Sequence, residues 1–170
     1  MTVPSATPLD YLLAEIERAI QARFYFLALT MVLALPDLCV SLVSPDGRCN
    51  GERYRKWCKE NLTKGFEFVT GDDLFSMRCG VVHNGRFGDM KNNVARVIFA
   101  LPGSVTFTNC KIDDSYVYSV ADFCSNFIAA VRCWYSANAA DANVTANLPR
   151  MMTLYPDGLA PYIKGTPILA

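Results

Sequence analysis

Residues 70–86 read TGDDLFSMRCGVVHNGR. Thr70 is a candidate N-cap, and Asp72 and Asp73 fall in the first turn, where the helix dipole favours carboxylates. Leu74, Met77 and Val81, with Val82 beside them, supply a core face at helical spacing. Asn84-Gly85 is a stop signal. The stretch predicts one helix carrying His83, the only histidine of the chain, near its C-terminus, with Arg78 five positions earlier.

These two side chains suit one another chemically. Histidine has the unperturbed pKa nearest neutrality and is the usual carrier of a proton. Arginine stays charged and presents a fork that fits phosphate oxygens. The pair fits cleavage of an RNA phosphodiester, with arginine stabilising the charge that builds on phosphorus. The position near a helix C-terminus also favours a protonated ring. Spacing is a difficulty, because five residues turn a helical side chain by about 140°. A long arginine can curl partway back, and a two-fold interface would bring two such pairs to one cleft. Cys79 and His83, at i and i+4, do share a face, which permits a cysteine nucleophile with a histidine base. No orienting acid or oxyanion-hole motif accompanies them. The plain structural alternative is a helix end, with Arg78 paired to Asp72, Asp73 or Asp89 on the surface.

Working outward, LDYLLAEIERAIQARFYFLALTMVLAL (9–35) reads as helix. Leu12, Leu13, Ile16, Ala19 and Ile20 form its apolar stripe, and Thr7 or Asp10 can cap it. From Phe24 onward it is apolar all round, so it belongs at the centre of the fold. The pattern leaves open whether this is one helix or two broken near Ala22. Pro36 should kink or end it, with DLCVSLV adding a turn or two. The run 24–36 holds thirteen residues, short of the roughly twenty that cross a bilayer. A buried core helix, and no membrane partner, is the expectation.

SPDGRCNG (44–51) is a turn cluster. GERYRKWCKENLTKG (51–65) follows as a helix with Tyr54, Trp57, Cys58 and Leu62 on its apolar stripe. Between Arg48 and Lys64 there are six basic residues against two acidic ones. Arg53, Arg55, Lys56 and Lys59 are the candidates to track an RNA backbone, against the alternative of a solvated helix face. Tyr54 and Trp57 could stack on bases but fit a core better. VARVIFAL (94–101), a Pro-Gly turn and SVTFTNCKI (104–112) suggest a β-hairpin at about 93–112. Ser119 and Asp122 have the form of a capping box before a last helix with Phe123, Phe127, Val131 and Trp134 on one face.

The whole chain of 170 residues has 16 basic and 16 acidic side chains, so any contact with nucleic acid must use a local patch. Seven irregularly spaced cysteines make a poor disulfide framework, and one histidine without a CxxC pair makes a poor zinc site. Cys39, Cys124 and Cys133 lie in apolar runs, where a reduced thiol acts as a small hydrophobe; this points to the cytoplasm. Asp72-Asp73 and Asp113-Asp114 could be metal carboxylates, but helix-end charge and loop acidity explain them at least as well. No metal or cofactor is expected.

The run RCGVVHNGR, an arginine, four residues and then a histidine with apolar residues before it and Asn-Gly after it, resembles the signature helix of the HEPN family (higher eukaryotes and prokaryotes nucleotide-binding). TGDDLFSM fits the approach to that helix. The resemblance covers residues 9–136, and its specific part is 70–86. It implies a mainly α, HEPN-like helical bundle, here with a small β-hairpin inserted before the last helix. A leader over 1–8 and a Pro-rich arm over 137–170 flank it. It also implies frequent homodimerisation and, in many members, metal-independent endoribonuclease activity in toxins and antiviral defence. An antitoxin or other partner protein then becomes a candidate partner. By that match Arg78 and His83 would be catalytic, with Asn84 orienting the ring or the substrate. Cys79 stands where active members often carry a polar residue, and some members only bind.

Overall fold

The computed structural model describes residues 6–87, 96–103 and 108–170. Among these the chain is mainly helical. Helices α1 (Pro8–Gln21), α2 (Tyr25–Val43), α3 (Gly51–Asn61), α4 (Gly71–Asn84) and α5 (Val120–Asn138) pack together, and a short α6 (Ala142–Asn147) follows.

The α1 start is a full capping box. The Thr7 hydroxyl accepts from the Asp10 amide, and the Asp10 carboxylate accepts from the Thr7 amide, so both candidate caps act as one unit. The long apolar run is two helices. Arg23 adopts a left-handed φ of 62° between α1 and α2, a conformation with no glycine to announce it. Leu9, Leu13 and Ile16 of α1 are buried. Arg132 on α5 grips Glu17 through two hydrogen bonds of 2.8 and 2.9 Å, tying the ends of the bundle together.

Helix α2 is the axis of the fold and meets α1, α3, α4, α5 and α6. Ala28, Val32, Leu33, Leu35 and Cys39 are fully buried. The helix continues through Pro36 to Val43 rather than ending there. Proline cannot donate to the Val32 carbonyl; one residue on, the Leu33 carbonyl accepts from the buried Tyr54 hydroxyl at 2.8 Å. At 19 residues and a mean hydropathy of 2.2, α2 is long and apolar enough to cross a bilayer, but half of that window is buried inside the fold. Phe24, Phe26 and Leu27, at its start, are left exposed.

Between α4 and α5 lies a three-stranded sheet of β1 (Arg96–Ala100), β2 (Cys110–Ile112) and β3 (Ser115–Ser119), in the order β1-β3-β2. Among the described residues 96–100 does not pair with 110–112. Strand β1 runs parallel to β3, and the hairpin is β2–β3, turning through Asp113 at φ 51°. The reason is burial. SYVYS contributes four buried side chains in succession and takes the centre between β1 and β2. Positions 93–95 and 104–107 lie outside the described residues. Ser119 caps α5 through the Asp122 amide, and Phe123, Phe127, Val131 and Trp134 are buried as expected. Cys133 is exposed, unlike Cys39 and Cys124.

Residues 137–170 begin with the end of α5 and with α6. Asn147 of α6 donates to the carbonyls of Leu42 and Ser44 at the end of α2. Two small two-stranded sheets follow, β4 (Leu154–Tyr155) with β7 (Ile168–Leu169), and β5 (Gly158–Leu159) with β6 (Ile163–Lys164).

Helices α3 and α4 touch backbone to backbone. A Cβ built on Gly71 would stand 2.7 Å from the Arg55 carbonyl oxygen. Replacing Gly71 with alanine forces the helices apart, and overpacking of this kind typically costs about 1–3 kcal/mol. Gly71→Ala should therefore lower the urea midpoint, with the m-value unchanged.

Candidate functional site

Helix α4 is fixed at both ends by its own sequence. Thr70 and Asp73 form a capping box, and Asp73 is buried. Gly85 takes the left-handed conformation at φ 64° and closes the C-terminus, its amide 3.2 Å from the Val81 carbonyl. Leu74, Met77 and Val81 face the core, and Val82 is exposed. The acidic pair is thereby accounted for: Asp73 caps, and Asp72 pairs with Arg55. No three histidine, cysteine, aspartate or glutamate side chains converge as a metal set among the described residues.

The Arg78 guanidinium does curl back. Its Nη1 lies 3.1 Å from His83 Nε2. Arginine has no acceptor. A hydrogen bond at this distance therefore requires a lone pair on Nε2, which is the neutral ring with its proton on Nδ1. Arg78 Nε donates to Asp37 Oδ2 of α2 at 2.7 Å. Of the carboxylates proposed from the sequence, Asp72 and Asp73 are used elsewhere, and Asp89 lies outside the described residues. Both Arg78 and Asp37 are largely withdrawn from water, at 23% and 22% side-chain exposure. Partial burial works against the Arg78 charge, but the hydrogen bond and charge of Asp37 outweigh it and lift its pKa above the ordinary arginine value. Arg78 Nη2 has no partner among the described residues.

Asp37 is the residue that reading the sequence missed. Its signal was present: it is the single charged side chain in the 19 residues of α2. A carboxylate in a central apolar helix needs a cation or several donors. Cys49, on the loop before α3, completes the surroundings. Burial first, and then the nearby Asp37 carboxylate, push its thiol from 9.0 up to about 12, against the opposing charges of Arg78 and Arg53. Cys79 Sγ sits 4.0 Å from Arg78 Nη1, a weak contact. Asn84 is exposed and makes no hydrogen bond to His83 among the described residues.

The basic helix divides between two places. Arg53 lies at the Asp37 end, where Nη1 donates to Ser44 Oγ and the Arg48 carbonyl at 3.1 and 3.3 Å and approaches Asp46. Arg55, Lys56 and Lys59 line an open cleft of about 830 Å³, with Leu62, Val69 and Leu74 as its apolar floor. Gly71 at this cleft is seven residues from Arg78, about 10 Å along α4. Arg55 also lies over the Phe75 ring at 4.1 Å, and Lys56 reaches Glu60. Lys59 alone of the four has no carboxylate partner among the described residues. Tyr54 and Trp57 are core residues, not exposed stacking platforms.

Comparison with protein-family models, curated proteins and solved structures gives no match.

Two outcomes follow. Removing either partner of the Asp37–Arg78 pair leaves a largely buried ionised group, so Asp37→Ala and Arg78→Ala should each lose about 1–3 kcal/mol in denaturant unfolding. The double variant should lose less than the sum of the two. For Cys49, folding favours the protonated thiol. Its contribution to stability is complete below pH 9.0 and is lost as pH rises from there toward about 12. At pH 8, mass-spectrometric mapping should find iodoacetamide labelling Cys49 far more slowly than the exposed Cys133.

Proposed function

We propose that the protein is a HEPN-like, metal-independent endoribonuclease. The observation that carries this reading is the 3.1 Å contact between Arg78 and His83, with Arg78 held from behind by Asp37. Of the guanidinium, Nε is committed to the fold, Nη1 touches the ring, and Nη2 remains for a phosphate oxygen. A phosphate drawn to Nη1 and Nη2 would sit beside Nε2, the atom with the lone pair. In the reaction the O2′–P bond forms and the P–O5′ bond breaks. The 2′-hydroxyl gives up a proton and the 5′-oxygen gains one. His83 handles one of these transfers as general base or acid, and solvent carries the other. Arg78 stabilises the charge on the phosphorane oxygens. The products are a 2′,3′-cyclic phosphate and a 5′-hydroxyl. Asn84, the exposed residue after His83, would orient the ring or the substrate. The reading includes a cytoplasmic setting and a homodimer whose two clefts lie together.

A second reading, a non-catalytic HEPN-like module that dimerises or holds a partner protein, draws on a different observation. Phe24, Phe26 and Leu27 are 59%, 62% and 57% exposed at the start of the central helix. An apolar cluster of this kind favours a protein partner.

The two are separated by incubating purified protein with mixed single-stranded RNAs in EDTA. The endoribonuclease reading expects cleavage to cyclic-phosphate ends, reduced at least about a hundredfold in both His83→Ala and Arg78→Ala. Intact RNA with the wild type would discard it in favour of the binding module.

A further inference from the structure

Beyond the Arg78–His83 pair, the chain that leaves α4 carries an arginine and an aromatic ring that the reaction does not use. Gly85 turns the backbone, and the Arg86 amide returns to the Gly80 carbonyl at 3.2 Å. This keeps Arg86 against the same last helical turn that bears His83. Arg86 is exposed and pairs with no carboxylate among the described residues. In this it differs from Arg53, Arg55 and Lys56 on α3, each of which approaches an acidic side chain.

Phe87 comes next and is 40% exposed. It is not a loose apolar side chain. Its ring lies 5.4 Å from Phe99 of β1, tilted by 42°. Phe99 in turn packs edge-on against the buried Phe123 of α5 at 4.9 Å. Phe87 is therefore the outer end of a supported aromatic row, four residues after His83. A ring held from behind and open in front loses little freedom when a planar ligand stacks on it. A cation beside it, with no carboxylate partner among the described residues, complements a phosphate.

We propose that Arg86 and Phe87 form a nucleotide subsite for single-stranded RNA next to the cleavage site. Phe87 stacks on the base flanking the scissile bond, and Arg86 holds the adjoining phosphate. The proposal rests on RNA being the substrate of the Arg78–His83 pair. Stacking tolerates every base and is strongest with purines, so the subsite sets position along the strand and a purine preference more than a sequence.

The test is fluorescence anisotropy of labelled eight-nucleotide RNAs, oligo(A) and oligo(U), with the full chain in EDTA. Cleavage of the same RNAs is followed in parallel. Phe87→Ala is compared with Phe87→Leu, which keeps the packing on Phe99 but has no π-face, and with Phe87→Trp. One stacked base corresponds to roughly a 5- to 150-fold loss of affinity on removal. A loss in that range is expected for both the alanine and leucine variants, larger for oligo(A), with tryptophan restoring binding. Arg86→Ala should weaken both RNAs alike and flatten the salt dependence by about 0.7 in log–log slope, the value for one phosphate contact on a single strand. RNA bound through Phe87 but not cut would remove the nuclease reading and with it the placement beside a scissile bond, and would support Arg86 and Phe87 as an RNA-binding site alone. RNA cut by the wild type, with Phe87→Leu and Arg86→Ala within twofold in affinity, would overturn the subsite alone. Neither binding nor cleavage would overturn both.

Discussion

The ion pair between Asp37 and Arg78 is the constraint around which the candidate site is organised. From Ala28 on, helix α2 is buried or half-buried and carries one charge. Dehydrating that carboxylate is expensive unless a donor meets it. Arg78 meets it from α4 at 2.7 Å. Because Nε is then fixed, the far end of the guanidinium has few places to go, and it rests on His83. A five-residue spacing that is wrong for two side chains on a bare helix becomes workable once a third group, from another helix, sets the direction of the arginine.

That third group can act only if α4 lies close enough to α2 and α3. Gly71 permits it by letting α4 touch the Arg55 backbone. One turn on, Phe75 packs edge-on against Tyr54 at 5.4 Å and lies under the Arg55 guanidinium. Tyr54 in turn donates to α2 beside Pro36. The same contacts that seal the core thus determine where Arg78 can reach. They also account for two of the four basic residues of α3. Arg55 is spent on Phe75 and Asp72, and Arg53 on the α2–α3 loop. The excess of positive charge read from 48–64 is structural to a large degree, consistent with a chain of zero formal net charge.

What was legible in the sequence was local. Thr70 and Gly85 delimit α4 because capping uses residues within a turn of the helix end. The stripes on α3 and α5 follow from 3.6-residue periodicity, and the mainly helical character follows from them. What was hidden was long-range or without a residue signature. The partner of Arg78 is 41 residues away, and nearer carboxylates were equally good candidates by charge alone. The break at Arg23 uses a left-handed residue that is not glycine. The parallel pairing of β1 with β3 and the β2–β3 hairpin were missed because Pro102-Gly103 is a strong local turn signal and drew the reading to it. Strand order is decided instead by which segment can bury most, and that is SYVYS, with Asp113 supplying the turn. In the candidate site, Arg78 and His83 were singled out from residue type and from the family resemblance, but the carboxylate that holds Arg78 and the Cys49 thiol were not.

The central claim is that Arg78, anchored on Asp37, lies against His83. Because the chain has a single histidine, its ring resonances can be observed without ambiguity in a proton–carbon correlation spectrum of histidine-labelled protein. Asp37→Asn should move those resonances although residue 37 does not touch the ring, and Arg78→Lys should move them further. Ring signals identical to wild type in both folded variants would contradict the account, because they would mean that the arginine is not held against the imidazole.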